Sequence, residues 1–139
     1  MKYIVVIGRF LFSLIFLLTI TSHYKKETIE YAASAGVPAA SFLVPFSAIL
    51  AFLGGFSILV GYQTKKGAWL IVIFLIPVTF YMHAFWKETD PIHAKMQMVN
   101  FMKNMALLGA SLLICYFGSG PMSFDENIQS KASDIKINP

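Results

Sequence analysis

Four long apolar runs limit what this chain can fold into. Ile4 to Thr21 is 18 residues of almost unbroken Val, Ile, Leu and Phe, interrupted only by Gly8, Arg9, Ser13 and Thr19. Phe42 to Tyr62 and Ala68 to Trp86 are of similar length, and a fourth run closes at Phe117. A helix rises 1.5 Å per residue, so about 20 apolar residues cross the roughly 30 Å hydrocarbon core of a bilayer. The 57% hydrophobic content exceeds the roughly half found in soluble domains. These features predict an all-α fold, an integral membrane four-helix bundle of one domain in 139 residues. The first run has the basic start of a secretory leader. Its apolar stretch is too long for one, and no small-x-small cleavage site follows Ile20, so a retained first span is expected.

The expected spans are about 4–21, 42–62, 68–86 and 98–117. The connections fit that reading. Thr28 to Ala35 suits two helical turns lying at the interface, ended by Gly36-Val37-Pro38. Pro45 is expected in the first turn of span two, where its missing N–H costs nothing. Ala51-x-x-x-Gly55 and the Gly54-Gly55 pair provide a small-residue face for close packing in lipid. Trp69 and Trp86 open and close span three like an aromatic belt, and Pro77 deprives the Ile73 carbonyl of its helical partner. From Ser119 to Pro139 the chain is polar without periodicity, and a mobile tail is expected.

Span four has a length problem. Uninterrupted apolar sequence runs only from Met105 to Phe117, and 13 residues rise about 20 Å. The helix must recruit preceding turns, which brings Asn100, Lys103 and Asn104 to the membrane boundary. Gln97, Asn100, Asn104, Ser111 and Cys115 then form one stripe, and Met98, Met102, Met105 and Gly109 another. Polar groups at that depth need partners from neighbouring helices or water.

Span parity puts both termini on one side and the two longer loops on the other. His23, His83 and His93 therefore share a side with Trp86, Gln97, Asn100 and Asn104. On the opposite side Arg9 lies about two turns inside span one, where snorkelling to the near interface is the expected solution. Arg9, Ser13, Phe16, Ile20 and His23 share one helix face. Six basic residues fall on the terminal side and five on the loop side, out of 11 in all. That balance leaves orientation to the short Lys65-Lys66 turn, which favours termini in the cytoplasm.

Composition narrows the function classes. The net charge of +4 comes from lysines flanking the spans, so lipid headgroups of the bilayer are the expected anionic neighbours and no nucleic acid partner is expected. Cys115 is alone, so no internal disulfide or Cys-x-x-Cys pair exists and redox chemistry needs a cofactor or a partner. Three histidines on one side raise haem or a metal. Without His-x-x-His or His-x-x-x-His spacing neither is expected. Methionines between Met82 and Met105 suit copper, but at helical spacing they are read as packing. Asn100 and Asn104 can also knit helices together by interhelical hydrogen bonds, but amides beside a His, a Trp and a Lys within the membrane boundary point to a ligand site, taken as His23, His83, Trp86, Gln97, Asn100, Lys103, Asn104 and Arg9. A quinone, with a polar head and an apolar tail, suits it.

A resemblance supports this direction. His83-x-Phe85-Trp86, then Gln97-x-x-Asn100-Phe101-x-Lys103-Asn104-x-Ala106-x-x-Gly109, and Gly118-x-Gly120-Pro121-x-Ser123-x-Asp125 resemble the DoxX family. Arg9, His23, Gly36-Val37-Pro38, Leu53-Gly54-Gly55 and Gly61 are similar to its pattern upstream, so the likeness spans about residues 5–125. It implies a four-helix protein of the bacterial inner (plasma) membrane. It also implies links to thiosulfate:quinone oxidoreduction and to membrane or periplasmic redox proteins as partners. There are two departures. Ala51 stands where many members carry Glu, and Ala84 where related sequences often have Asn. The resulting expectation is a quinone-linked oxidoreductase subunit or accessory. The alternative is a non-catalytic scaffold or small transporter-like protein whose polar stripe only joins helices.

Overall fold

The computed structural model describes the backbone of residues 1–137 and the side chains of residues 1–133. In chain order the helices are α1 (Lys2–His23), α2 (Lys26–Ser34), α3 (Ala40–Val60), α4 (Thr64–Met82), α5 (Pro91–Phe117) and α6 (Phe124–Ile137), with a 3-10 turn at Phe85–Lys87 before α5. Among the described residues there is no strand. Among the described residues four segments are long and apolar enough to cross a membrane: α1, α3, α4 continued to Lys87, and α5. The protein is an all-α membrane bundle.

Local chemistry explains the ends of these helices. The α5 start combines Pro91 at its first position with Asp90, whose carboxylate accepts the His93 N–H at 2.9 Å. Both devices suit a helix N-terminus, where the first N–H groups lack intrahelical partners. From there α5 runs 27 residues, about 40 Å, so the recruitment of turns before Met105 is realised. Gly61 ends α3 at φ +72°, and its N–H donates to the Ser57 and Ile58 carbonyls. Glycine adopts that left-handed geometry without steric cost.

The glycine pair of α3 divides its contacts between two neighbours. A Cβ on Gly54 would meet the Gly67 carbonyl of α4 at 2.7 Å, whereas one on Gly55 would meet Phe16 Cβ of α1 at 3.0 Å. Small residues thus bring three helix backbones close at one point, where lipid supplies no hydrophobic drive for association. Phe16, Ala51, Ile58, Ala68, Ile71, Phe74 and Leu75 form the apolar core around it. Backbone-close packing joins α1 to α3, α3 to α4 and α4 to α5. α1 and α5 stand wider apart.

Two expectations need correction and one gains detail. α3 begins at Ala40, two residues earlier than expected, so Pro45 lies in the second turn. There its missing N–H leaves the Ser41 carbonyl without a helical partner. Trp86 closes the third spanning segment, which continues to Lys87, from the 3-10 turn and not from the α-helix, which stops at Met82.

The second correction concerns the stretch after Gly118, which is docked at its start. Ser119 and Ser123 are buried with their hydroxyls 2.9 Å apart. The Asp125 carboxylate accepts the Gln63 and Thr64 N–H groups at 2.8 and 3.1 Å, capping α4. The Asp125 N–H in turn donates to the Gly61 carbonyl at 2.9 Å. Short polar side chains and backbone groups make these contacts, so no hydrophobic period announces them.

Two substituted cysteines test the parity of this arrangement. One placed in the Gln63–Lys66 turn and one in Glu88–Asp90 are expected to react with an impermeant thiol reagent from opposite sides. Labelling of both from one side would contradict four crossings.

Candidate functional site

The last turn of α1 brings His23 inward, and its Nδ1 lies 3.0 Å from the Thr19 carbonyl. That acceptor requires Nδ1 to carry the proton, which leaves Nε2 of the neutral ring as a lone-pair acceptor. His83, where α4 ends, is held by a longer network. Its Nδ1 is 2.7 Å from Gln97 Oε1, Gln97 Nε2 donates to the Tyr31 hydroxyl at 2.9 Å, and Tyr31 donates to the Met82 carbonyl at 3.1 Å. Each link fixes the next. Tyr31 spends its proton on Met82, so it accepts from the Gln97 amide, whose oxygen then faces His83 and sets Nδ1–H there too. Among the described residues neither histidine Nε2 has a hydrogen-bond partner.

Tyr31, on α2 outside the spans, was not singled out from the sequence. Burial pushes its phenol above its ordinary value, and the Glu88 charge adds to the rise. It remains a hydroxyl at neutral pH and holds the network closed. An isolated Tyr on an amphipathic surface helix carries no sequence signal for such a role.

The two histidines border one cavity of about 130 Å³ between α1, α4 and α5. Thr19 and His23 come from α1, Phe74, Leu75 and Val78 from α4, and Lys103, Asn104 and Leu107 from α5, with His83 at one end. Asn104 is only 6% exposed. Among the described residues no group hydrogen-bonds its carboxamide. Its polar atoms keep access to the cavity, where water or a ligand group can meet them. Lys103 lines the same space while its Nζ donates to Asn100 Oδ1 at 3.1 Å.

The structure thus brings His23, His83, Lys103 and Asn104 together and leaves the other four expected site residues outside. Gln97 is committed to His83 and Tyr31, so it positions the histidine instead of lining the cavity. Asn100 supports Lys103. Trp86 is 54% exposed and packs edge-on against Phe85 and Phe101.

Arg9 lies at the other end of α1, under the docked C-terminal segment. It is 7% exposed, with Nη2 donating to the Met122 carbonyl at 2.7 Å and Nε and Nη1 buried without partners. The side chain does extend toward the near interface, but it ends beneath protein instead of among headgroups. Met98, Met102 and Met105 are exposed on the outer face of α5, away from the histidines.

Against the polar cavity lies an apolar cleft of about 280 Å³ between α3 and α4, and His23, Phe74 and Val78 line both. The cavity alone is smaller than the roughly 300–1,000 Å³ of ligand pockets, and the two together reach that range. Among the described residues no three His, Cys, Asp or Glu side chains converge as metal ligands would.

Comparison with known proteins agrees with the fold. The chain is 31% identical over 104 residues to the inner membrane protein YqjF of Escherichia coli (strain K12), covering 75% of this chain and 74% of that protein. It is 28% identical over 98 residues to the inner membrane protein YphA of the same organism, covering 70% and 69%. No solved structure matches it significantly. The DoxX family matches residues 4–84, which carry α1 to α4 with His23 and His83 and stop short of α5. On this match and these relatives, the chain belongs to the DoxX family.

Proposed function

We propose that this chain is an inner-membrane protein that binds the head group of a lipid-soluble quinone between α1, α4 and α5, as the quinone-handling subunit or accessory of a membrane oxidoreductase. The observation that carries the reading is the Asn104 carboxamide, without a hydrogen-bond partner among the described residues, lining one cavity with His23, His83 and Lys103. That donor set fits both forms of such a head. An amide N–H and an ammonium donate to quinone carbonyls, and neutral Nε2 atoms accept from quinol hydroxyls. A bound quinone would supply two-electron carrier chemistry. The residues of this chain bind and orient the head, and Gln97 with Tyr31 keeps His83 in one tautomer.

The inner-membrane location follows the two relatives, both named as inner membrane proteins. Cys115 is the single cysteine, so electrons come from a partner of the membrane or periplasm. Protein purified in mild detergent is expected to carry isoprenoid quinone at close to one per chain after solvent extraction. A clean extract from folded protein would sink the proposal.

The scaffold alternative draws on the His83–Gln97–Tyr31–Met82 network, which ties α2 and α5 to the end of α4 whatever the cavity holds. Its signature is a polar stripe whose substitution changes stability alone.

A further inference from the structure

We propose that the cleft between α3 and α4 holds the isoprenoid tail of the ligand whose head sits in the His23–His83–Asn104 cavity, and that this ligand arrives sideways from the bilayer. The inference rests on the quinone-head reading and adds where the rest of the molecule goes.

Three observations carry it. The first is adjacency. His23, Phe74 and Val78 line both spaces, and the His23 and Phe74 rings, 5.9 Å apart between centroids, stand at their junction. The second is chemistry. Leu50, Ile73 and Pro77 present carbon to the cleft. Two of its polar residues are already engaged: the Ser47 hydroxyl donates to Val44 at 2.7 Å, and the Thr28 hydroxyl to Ser22 at 2.9 Å. A headgroup would find few partners there, whereas a hydrocarbon chain needs none.

The third observation is direction. Leu43, Phe46, Ile73, Pro77 and Tyr81 are all exposed, and they sit on spanning segments whose outer surface meets lipid tails. The cleft therefore opens into the half of the hydrocarbon layer nearest the α1–α3 and α4–α5 connections. At their other ends α3 and α4 are pinned backbone to backbone by Gly54 and Gly67. The cleft lies toward Leu43 and Met82, away from that glycine contact.

The tail gains little affinity by leaving lipid for a cleft equally apolar. What the cleft supplies is a passage and a fixed direction for the chain. The test therefore reads location. The full-length protein in lipid nanodiscs is photolysed with a quinone analogue carrying a diazirine on its first isoprene unit, and adducts are mapped by mass spectrometry. Adducts on Leu43, Ser47, Leu50, Ile73 or Pro77 are expected, reduced at least tenfold in Asn104→Leu.

Ser47→Trp, which fills the cleft without touching the cavity, should reduce the same adducts while a tail-less quinone still binds. Adducts along the α1–α5 gap would overturn the route and leave the head site standing. Cleft adducts indifferent to Asn104→Leu would mean that any lipid chain lodges there, which overturns the proposal. Labelling no stronger than that of bulk lipid, with no binding of the tail-less quinone, would overturn the head-group reading as well.

Discussion

Asn104→Leu is expected to abolish quinone binding while the bundle stays folded. Leu fills a similar volume, and in place of an amide it brings carbon that needs no partner. In the wild-type protein Asn104 lines the cavity with no hydrogen-bond partner among the described residues, so its amide is free to donate to a bound carbonyl. Losing that hydrogen bond, and putting carbon against the ligand's polar oxygen, should weaken binding at least tenfold, since about 1.4 kcal/mol is one decade. Quinone content after extraction and fluorescence quenching by added quinone read the loss. Circular dichroism and the detergent melting temperature check the fold. If the stripe only joins helices, the same variant should shift stability by about 1 kcal/mol and leave extracted quinone unchanged. The two outcomes separate the two functions.

A chain ending at Gly118 is expected to lose several kcal/mol of stability, whereas one ending after Glu126 should melt within a few degrees of wild type. The difference lies in eight residues. Ser119 to Glu126 carry the Met122 carbonyl that receives Arg9, and the Asp125 carboxylate that caps α4 and supplies negative charge near the guanidinium. Hydrogen bonds to charged groups contribute about 1.5–3 kcal/mol each, and stripping a buried charge of its partner costs roughly 3–5 kcal/mol. Asp125→Ala alone should therefore cost about 3 kcal/mol, read as a lower melting temperature. Beyond Glu126 the side chains to residue 133 are exposed, and such positions usually contribute about 0.5 kcal/mol or less. Equal melting temperatures for the two truncations would show that the docked stretch contributes nothing.

Much of this was legible in the residues themselves. Runs of apolar side chains long enough to cross a bilayer leave the backbone few choices but helices, because hydrocarbon offers no partner for an open N–H or C=O. Span number, the small face of α3, the lengthening of α5 and the shared side of the histidines and amides all follow from composition, length and parity. Parity, however, places residues on a side and says nothing about which of them meet.

Tertiary structure decided the membership of the site. Gln97 and Asn104 lie seven positions apart on one stripe, yet Gln97 turns to His83 and Tyr31 while Asn104 faces the cavity. The choice depends on Tyr31, 66 residues away in sequence from Gln97, and no local pattern encodes that distance. Arg9 shared a helix face with His23 on the wheel, but the face is about 21 Å long between them, and the C-terminal segment covers its far end. That segment docks through hydroxyls, one carboxylate and backbone groups, whose partners are set by geometry and not by periodicity. The apolar composition of the chain therefore determines a four-helix membrane bundle, and the wider spacing of α1 and α5 decides where its polar residues leave room for a ligand.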